Sequence, residues 1–333
     1  MGLSFMFFKK KTVLGGEDFD YMHSDALYFD SACQTMRPRC VIDAEVAYYE
    51  EYNACGGRVK YRWGERVDME VSRTRMLLLK YLNKSSQDYE VCFTANTTAG
   101  INLVLHQLPV EDYEAIITSE IEHNSVFLPS ITVAGRGRLR RDVLTRGDDG
   151  ALIYEKEQLR RGVIIVNSCS NIDGRSLRNI QDLSRDVHEM EGLLCIDGAQ
   201  AMVTQRELLS KVDFDCLFGS AHKMYGPSLG FVVIKRELLK KLSPFFIGGG
   251  MVSSVSRDEY VLSDGEEHLS SRLESGLQDW AGIIGFGTAL EWLMSGGTQN
   301  ILSKYSDLGG QLYDGLLSME GIHVINSGPS TTV

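Results

Sequence analysis

Two short apolar segments, each followed at once by polar residues, constrain the fold of this chain most. Residues 193–196 precede Asp-Gly-Ala-Gln at 197–200, and residues 214–218 precede Gly-Ser-Ala-His-Lys at 219–223. Both segments lack proline, which together with their short length is typical of buried strands in a parallel sheet. Loops at the carboxyl ends of such strands meet at one edge of the sheet, where open α/β sheets bind ligands. We therefore expect the polar residues of both loops to face one crevice: Asp197, Gln200, His222 and Lys223.

An amine and a carboxylate in one crevice point to a specific chemistry. The Lys223 amine can form a Schiff base with a carbonyl compound. In enzymes that use pyridoxal phosphate (PLP), a carboxylate such as Asp197 keeps the pyridine nitrogen protonated so that the ring can accept electrons. Each residue alone has a plainer interpretation, because Asp197 could cap a helix and Lys223 could be a solvated loop lysine. Their combination favours the PLP interpretation.

Two motifs in this region resemble the class V aminotransferase family, and most of all its cysteine desulfurases and selenocysteine lyases. One is Asp-Gly-Ala-Gln at 197–200, and the other is Ser-x-His-Lys-x-Tyr-Gly-Pro at 220–227. The likeness extends from Tyr-Phe-Asp-Ser-Ala at 28–32 to Gly287. It implies the α/β fold of fold type I PLP-dependent transferases, in which helices flank a mainly parallel sheet and a small C-terminal domain follows.

The resemblance also implies roles for single residues. In the catalytic set, Lys223 would bond covalently to PLP and act as acid and base, Asp197 would hold the pyridinium proton, and His123 would stack on the ring. Further cofactor-binding residues are implied at Thr97, Thr98, Asn171, Gln200, Ser220 and His222. The two threonines open a predicted helix, whose free N–H groups can hold a phosphate, although alone they fit a plain helix cap.

Charge and length argue against several classes of function. The 333 residues carry a net charge of -11, which disfavours a nucleic-acid surface. The arginine-rich residues 136–146 are interpreted as a solvated strand or loop. No apolar segment approaches the roughly 20 residues that span a bilayer. The charges that follow residues 1–8 are on the wrong side for a signal peptide.

The seven cysteines show no Cys-x-x-Cys spacing. Neither a disulfide framework nor a metal site is indicated, so a reducing cytoplasm fits best. Cys92, Cys195 and Cys216 lie in apolar segments and are expected to be buried. None of the other four is predicted to be a nucleophile, although Cys55 lies in a Gly-rich loop that could approach the site.

The chain alternates predicted strands and helices, which indicates a mainly parallel sheet with helices on both faces. Besides the two segments above, strands are predicted at 28–32, 91–94, 115–118, 162–166 and 229–234. Helices are predicted at 39–52, 68–82, 281–293 and 301–319, and Met76, Leu77 and Leu79 are expected to face inward. Loops are predicted at 53–64 and 247–251.

Three parts are predicted along the chain: a leader at 1–27, a large PLP-binding domain at 28–290, and the start of a small C-terminal domain at 291–333. A first strand of that small domain is expected at 321–326. The family's catalytic cysteine and substrate-carboxylate arginine correspond to positions beyond Val333, so a fragment is expected. Leu277 stands where the family has a threonine that contacts phosphate across the dimer, and Ser275 could compensate.

The resemblance favours a PLP-dependent cysteine desulfurase that acts on an amino acid as a homodimer and passes sulfur to an acceptor protein. Two alternatives stay open: another class V lyase, epimerase or aminotransferase, and a non-catalytic scaffold of the same fold. Retention of Asp197, His222 and Lys223 together disfavours the scaffold. A Rossmann dinucleotide fold is disfavoured as well, because Gly-x-Gly-x-x-Gly does not occur between a strand and a helix.

Overall fold

The computed structural model describes residues 18–22, 27–57, 61–263, 265–295, 297–324 and 328–329. Its centre is a seven-stranded sheet in the order β1-β7-β6-β5-β4-β2-β3. These strands are β1 (Tyr89–Thr94), β2 (Ala115–Ser119), β3 (Arg140–Leu144), β4 (Gly162–Asn167), β5 (Leu193–Asp197), β6 (Cys216–Ser220) and β7 (Gly230–Lys235). A separate hairpin pairs β8 (Val252–Val255) with β9 (Tyr260–Leu262).

The sheet is mainly parallel, as the sequence predicts. Strands β3, β2, β4, β5 and β6 pair in parallel in that order. Strand β7 runs antiparallel to both of its neighbours, β6 and β1. Strand β1 therefore points the same way as the parallel strands, and the carboxyl ends of β1, β4, β5 and β6 meet at one edge of the sheet.

Helices cover both faces of the sheet. One face packs against α1 (Arg39–Glu51), α2 (Arg62–Tyr81), α5 (Ile180–Glu189), α6 (Arg206–Lys211) and α8 (Trp280–Met294). The other packs against α3 (Thr97–Gln107), α4 (Asn124–Gly137) and α7 (Arg236–Lys241). Successive strand residues such as Ile164 and Ile165 belong to opposite cores, because side chains alternate between the faces. Helix α9 (Gly297–Leu317) packs on α8.

Most predicted strands match the structure. Those at 91–94, 115–118, 162–166, 193–196, 214–218 and 229–234 correspond to β1, β2, β4, β5, β6 and β7. The segment 28–32 does not form a strand, because the Asp30 carbonyl accepts hydrogen bonds from the N–H groups of Cys33 and Gln34 and so closes a turn. No helix in the described ranges is long and apolar enough to cross a membrane.

The prediction for the second helix was wrong about the residue at which the helix begins and partly wrong about which residues face inward. Helix α2 begins at Arg62, inside the predicted loop 53–64, and residues 58–60 of that loop lie outside the described residues. Met76 is 54% exposed, whereas Leu78 and Leu79 are buried. The buried residues Val67, Val71, Thr74 and Leu78 follow the 3.6-residue period and define the inward face.

Two further predictions need correction. Arg146 is not solvated: only 4% of it is exposed, and its guanidinium donates to the carbonyl oxygens of Gly150 and Asn167. These bonds compensate for the lost hydration of the cation. Residues 321–324 form no strand, and residues 325–327 lie outside the described ranges. The predicted leader includes Phe19, which packs on helix α8. The centroid of its ring lies 6.2 Å from that of Trp292 in an edge-on contact.

Candidate functional site

A cavity of about 230 Å³ opens at the carboxyl edge of the sheet. All nine residues predicted to bind the cofactor line it: Thr97, Thr98, His123, Asn171, Asp197, Gln200, Ser220, His222 and Lys223. They come from strand ends and from the loops that follow β1, β2, β4, β5 and β6. The structure therefore brings the predicted set together, while the role of each residue stays a prediction.

The sequence interpretation did not select several other residues that line the cavity: Cys33, Asn96, Ser125, Asn167, Cys169 and Ala199. Asn167 ends the apolar segment of β4 at the same edge as Asp197, so the strand pattern could have identified it. Cys33 directly follows the 28–32 motif. Its arrival at the cavity depends on tertiary contacts that no local pattern reports.

The start of α3 forms one end of the cavity. The side chain of Asn96 caps this helix by accepting a hydrogen bond of 2.9 Å from an N–H group in its first turn. The Thr98 hydroxyl is 2.6 Å from the Ser125 hydroxyl, and the Thr97 hydroxyl contacts that of Ser220. The first N–H groups of a helix have no partner within it and, with the helix dipole, favour an anion. This end of the cavity is suited to a phosphate.

Gly230, at the start of β7, permits this arrangement. A Cβ atom at this position would lie 2.2 Å from the Asn96 carbonyl carbon and 2.5 Å from its Cα atom. Both contacts are with backbone, which cannot swing aside as a flexible side chain would. Glycine therefore lets β7 pass close to the start of α3.

Asp197 and Lys223 dominate the charge of the cavity. Asp197 ends β5, is 5% exposed, and accepts a hydrogen bond of 3.0 Å from the Ala199 N–H. Burial raises the pKa of its carboxyl, which the Ala199 bond and the charges of Lys223 and His123 partly offset. Burial lowers the pKa of Lys223, with Asp197 and Cys33 acting in the opposite direction. Lys223 thus loses its proton more readily than a surface lysine, which makes its amine a better nucleophile.

The two histidines of the cavity are held differently. His123 caps α4, and its Nδ1 accepts a hydrogen bond of 3.0 Å from the Ser125 N–H. In the neutral ring the proton is therefore on Nε2. Burial lowers the pKa of His222, and the positive charges of Lys223 and Arg37 add to this effect. His222 is therefore biased towards the neutral form.

Gln200 joins the cavity to the turn that carries Cys33. Its Nε2 donates to the Ala32 carbonyl oxygen at 2.8 Å. An amide nitrogen has two protons, so this bond leaves one for a ligand in the cavity. Gln200 can therefore hold the turn and contact a ligand at the same time.

A comparison with protein families decides the assignment. Residues 27–332 match the model of the family described as Aminotransferase class-V, which is most of the chain. The chain belongs to the class V aminotransferase family. The family named from the motifs at 197–200 and 220–227 is thereby confirmed, and so is the fold class.

Class V aminotransferase relatives resemble the chain over most of its length. A probable cysteine desulfurase of Methanothermobacter thermautotrophicus is 28% identical over 305 residues, which are 90% of this chain and 74% of that protein. A cysteine desulfurase of Salmonella newport is 30% identical over 284 residues, covering 82% of this chain and 68% of that protein. A solved structure of a C-DES variant, with glycine covalently linked to its PLP cofactor, is 16% identical with a TM-score of 0.79. It covers 95% of this chain and 84% of that chain and supports the shared fold.

Proposed function

We propose that this chain is a PLP-dependent enzyme that removes sulfur from cysteine. One observation carries the proposal: the buried Asp197 carboxylate and the Lys223 amine line a cavity that also includes the start of α3. The cysteine desulfurase relatives support cysteine as the substrate. The alternatives of a different class V reaction or a scaffold have no comparable support.

The donor set of the cavity fits PLP. The N–H groups and hydroxyls of Thr97 and Thr98 suit the phosphate. Asp197 is almost fully buried, and a protonated pyridine nitrogen is a partner that would favour its ionised form. Lys223, with its lowered pKa, suits covalent attachment to the aldehyde.

When bound, PLP supplies an electron sink for the negative charge that develops on the amino acid. In this proposal, Asp197 keeps a proton on the pyridine nitrogen, and Lys223 moves protons to and from the substrate carbons. The His123 ring, oriented by its bond to the Ser125 N–H, would stack on the cofactor. The remaining polar residues orient the cofactor oxygens: Asn171, Gln200, Ser220 and His222.

We also propose a homodimer, a cytoplasmic location, and an acceptor protein for the sulfur. All seven cysteines lie in the described ranges and none forms a disulfide, which suits a reducing compartment. Phe245, Phe246 and Leu277 are 58%, 60% and 78% exposed and line one apolar cavity, which suits a partner subunit. Sedimentation of a monomer that still binds PLP tightly would contradict the dimer. We propose the same division into domains as the sequence predicts. The large PLP-binding domain comprises residues 28–290, and the small domain begins at residue 291.

Reconstitution with PLP tests the proposed function. The expected result is a visible absorbance band that borohydride abolishes, with the reduced label mapped by peptide mass to Lys223. Lys223→Ala should lack the band, whereas the control Lys80→Ala, on an exposed position of α2, should keep it. Label on a different lysine, or no band in the wild type, would refute the proposal. Release of alanine and sulfide from cysteine, assayed with a protein that includes the family's catalytic cysteine as sulfur acceptor, then tests the reaction.

A further inference from the structure

A buried carboxylate that the proposed chemistry does not use, Glu122, lies beside the cavity. It follows β2 in sequence, and only 5% of it is exposed. Its Oε1 accepts a hydrogen bond from the Ser119 hydroxyl. Its Oε2 accepts two hydrogen bonds from Asn167, at 2.8 Å from the backbone N–H and at 2.9 Å from Nδ2. Glu122 therefore links the ends of β2 and β4.

Asn167 carries this link to the cavity. It lines the cavity wall and is the register partner of Asp197 between β4 and β5. Its Nδ2 also donates to the Ile121 carbonyl oxygen at 2.8 Å, and its Oδ1 accepts from Arg146 Nη2 at 2.7 Å. Three groups thus hold the Asn167 side chain: the Ile121 carbonyl oxygen, the Arg146 guanidinium and the Glu122 carboxylate.

The charge on Glu122 is costly at this depth. Burial, together with a smaller contribution from the Asp197 carboxylate, raises the pKa of Glu122 to about 7, while Ser119, Arg146 and Asn167 oppose the shift. Ser119, Asn167 and Asp197 end β2, β4 and β5, and Arg146 follows β3, so the groups that act on Glu122 come from four neighbouring strands. The Arg146 guanidinium donates to the Asn167 side chain, and its charge also opposes the rise in the pKa of Glu122.

We propose that Glu122 is a positioning residue, which holds the Asn167 side chain in the cavity wall beside Asp197. The effect on cofactor binding rests on the proposed function, because only that function places PLP in this cavity. The effect on Asn167 and on folding does not.

The stability of the cofactor-free protein tests the charge of Glu122. When folding raises the pKa of an acid, its contribution to the free energy of unfolding is fully present below the pKa of the unfolded state. That contribution is lost as the pH rises through the pKa of the folded state, which is about 7 for Glu122. Between about pH 5 and about pH 8, the wild type should therefore lose stability relative to Glu122→Gln, which stays neutral. The control Glu111→Gln, at an exposed position, should keep the wild-type pH dependence. An identical pH dependence in Glu122→Gln would overturn the inference.

Affinity for PLP at about pH 6, where Glu122 is mainly protonated, tests the positioning role. Glu122→Gln should bind PLP like the wild type, because it preserves shape and an acceptor for Asn167. Glu122→Ala should bind at least about tenfold more weakly, as expected for loss of buried hydrogen bonds. Equal weakening in both variants, or wild-type binding by Glu122→Ala, would contradict the role. If the wild type binds no PLP, the proposed function fails, and the stability titration decides the inference alone.

Discussion

Thr35 is bonded twice to the carbonyl oxygen of His222, from its backbone N–H at 2.8 Å and from its hydroxyl at 2.9 Å. The Thr35 hydroxyl oxygen also accepts a hydrogen bond of 2.8 Å from the Tyr225 N–H. Tyr225 has a φ angle of +62°, in the left-handed region that favours glycine. Thr35 therefore bonds the loop of Lys223 on both sides, at His222 and at the strained Tyr225. The same bonds hold the turn that contains Cys33 against the cavity.

Replacing Thr35 by valine removes both side-chain bonds at nearly constant volume. The buried Tyr225 N–H then loses its partner, so the free energy of unfolding should fall by about 1–3 kcal/mol. PLP should bind more weakly as the lysine loop loosens. Chemical denaturation checks the first effect, with Thr132→Val, on an exposed position of α4, as the matched control. Equal stability of the two variants would show that the Thr35 bonds do not support the loop.

The Cys33 thiol is exposed and lines the cavity, so bound PLP should shield it. We expect iodoacetamide to alkylate Cys33 in the cofactor-free protein and to react several-fold more slowly after reconstitution. Peptide mass spectrometry gives the rate at each cysteine. Cys40, which is exposed but does not line the cavity, provides the internal control and should react at an unchanged rate. Unchanged labelling of Cys33 would mean that PLP does not occupy this cavity.

The Asp197→Asn substitution should separate stability from activity. Because burial raises the pKa of Asp197, its ionised form destabilises the cofactor-free fold, and this loss grows as the pH rises through the folded pKa. The asparagine variant stays neutral and can still accept the Ala199 bond, so it should unfold at a higher temperature than the wild type at neutral pH. In a protein that includes the family's catalytic cysteine, turnover with PLP bound should fall at least about 100-fold, because an amide cannot hold a pyridinium proton. Near-normal turnover would exclude the assigned role.

The Gly230→Ala substitution should disturb the start of α3. The added Cβ would meet the Asn96 backbone at 2.2 Å, so β7 and α3 must separate. Overpacking of this kind costs about 1–3 kcal/mol. The affinity for PLP should fall as well, since the phosphate end of the cavity moves. Gly135→Ala on α4, where an added Cβ meets nothing within 4 Å, is the control and should leave stability unchanged or slightly higher. Tight PLP binding by a stable Gly230→Ala variant would contradict this account.

The parts predicted well from sequence are those that local patterns encode. Strands β5 and β6 follow from short apolar segments that end at polar residues, and the motif residues Asp197 and Lys223 follow directly from their ends. The inward face of α2 is not encoded locally, because Met76 and Leu78 are both apolar and the packing of α2 against α8 and β1 decides which is buried. Local apolarity identifies a candidate for burial, whereas packing selects the residue.

The sequence by itself determined the family, the mainly parallel sheet, and the set of polar residues at its carboxyl edge. These follow from alternation, strand length and motifs, which are properties of residues close together in the chain. Only the tertiary structure decided that Cys33 reaches the cavity, that Arg146 is buried, and that Glu122 holds Asn167. Each of these depends on contacts between distant segments, such as the bond between Thr35 and His222, which are 187 positions apart. Such contacts form only when the whole sheet and its helices pack together, so no local pattern can report them.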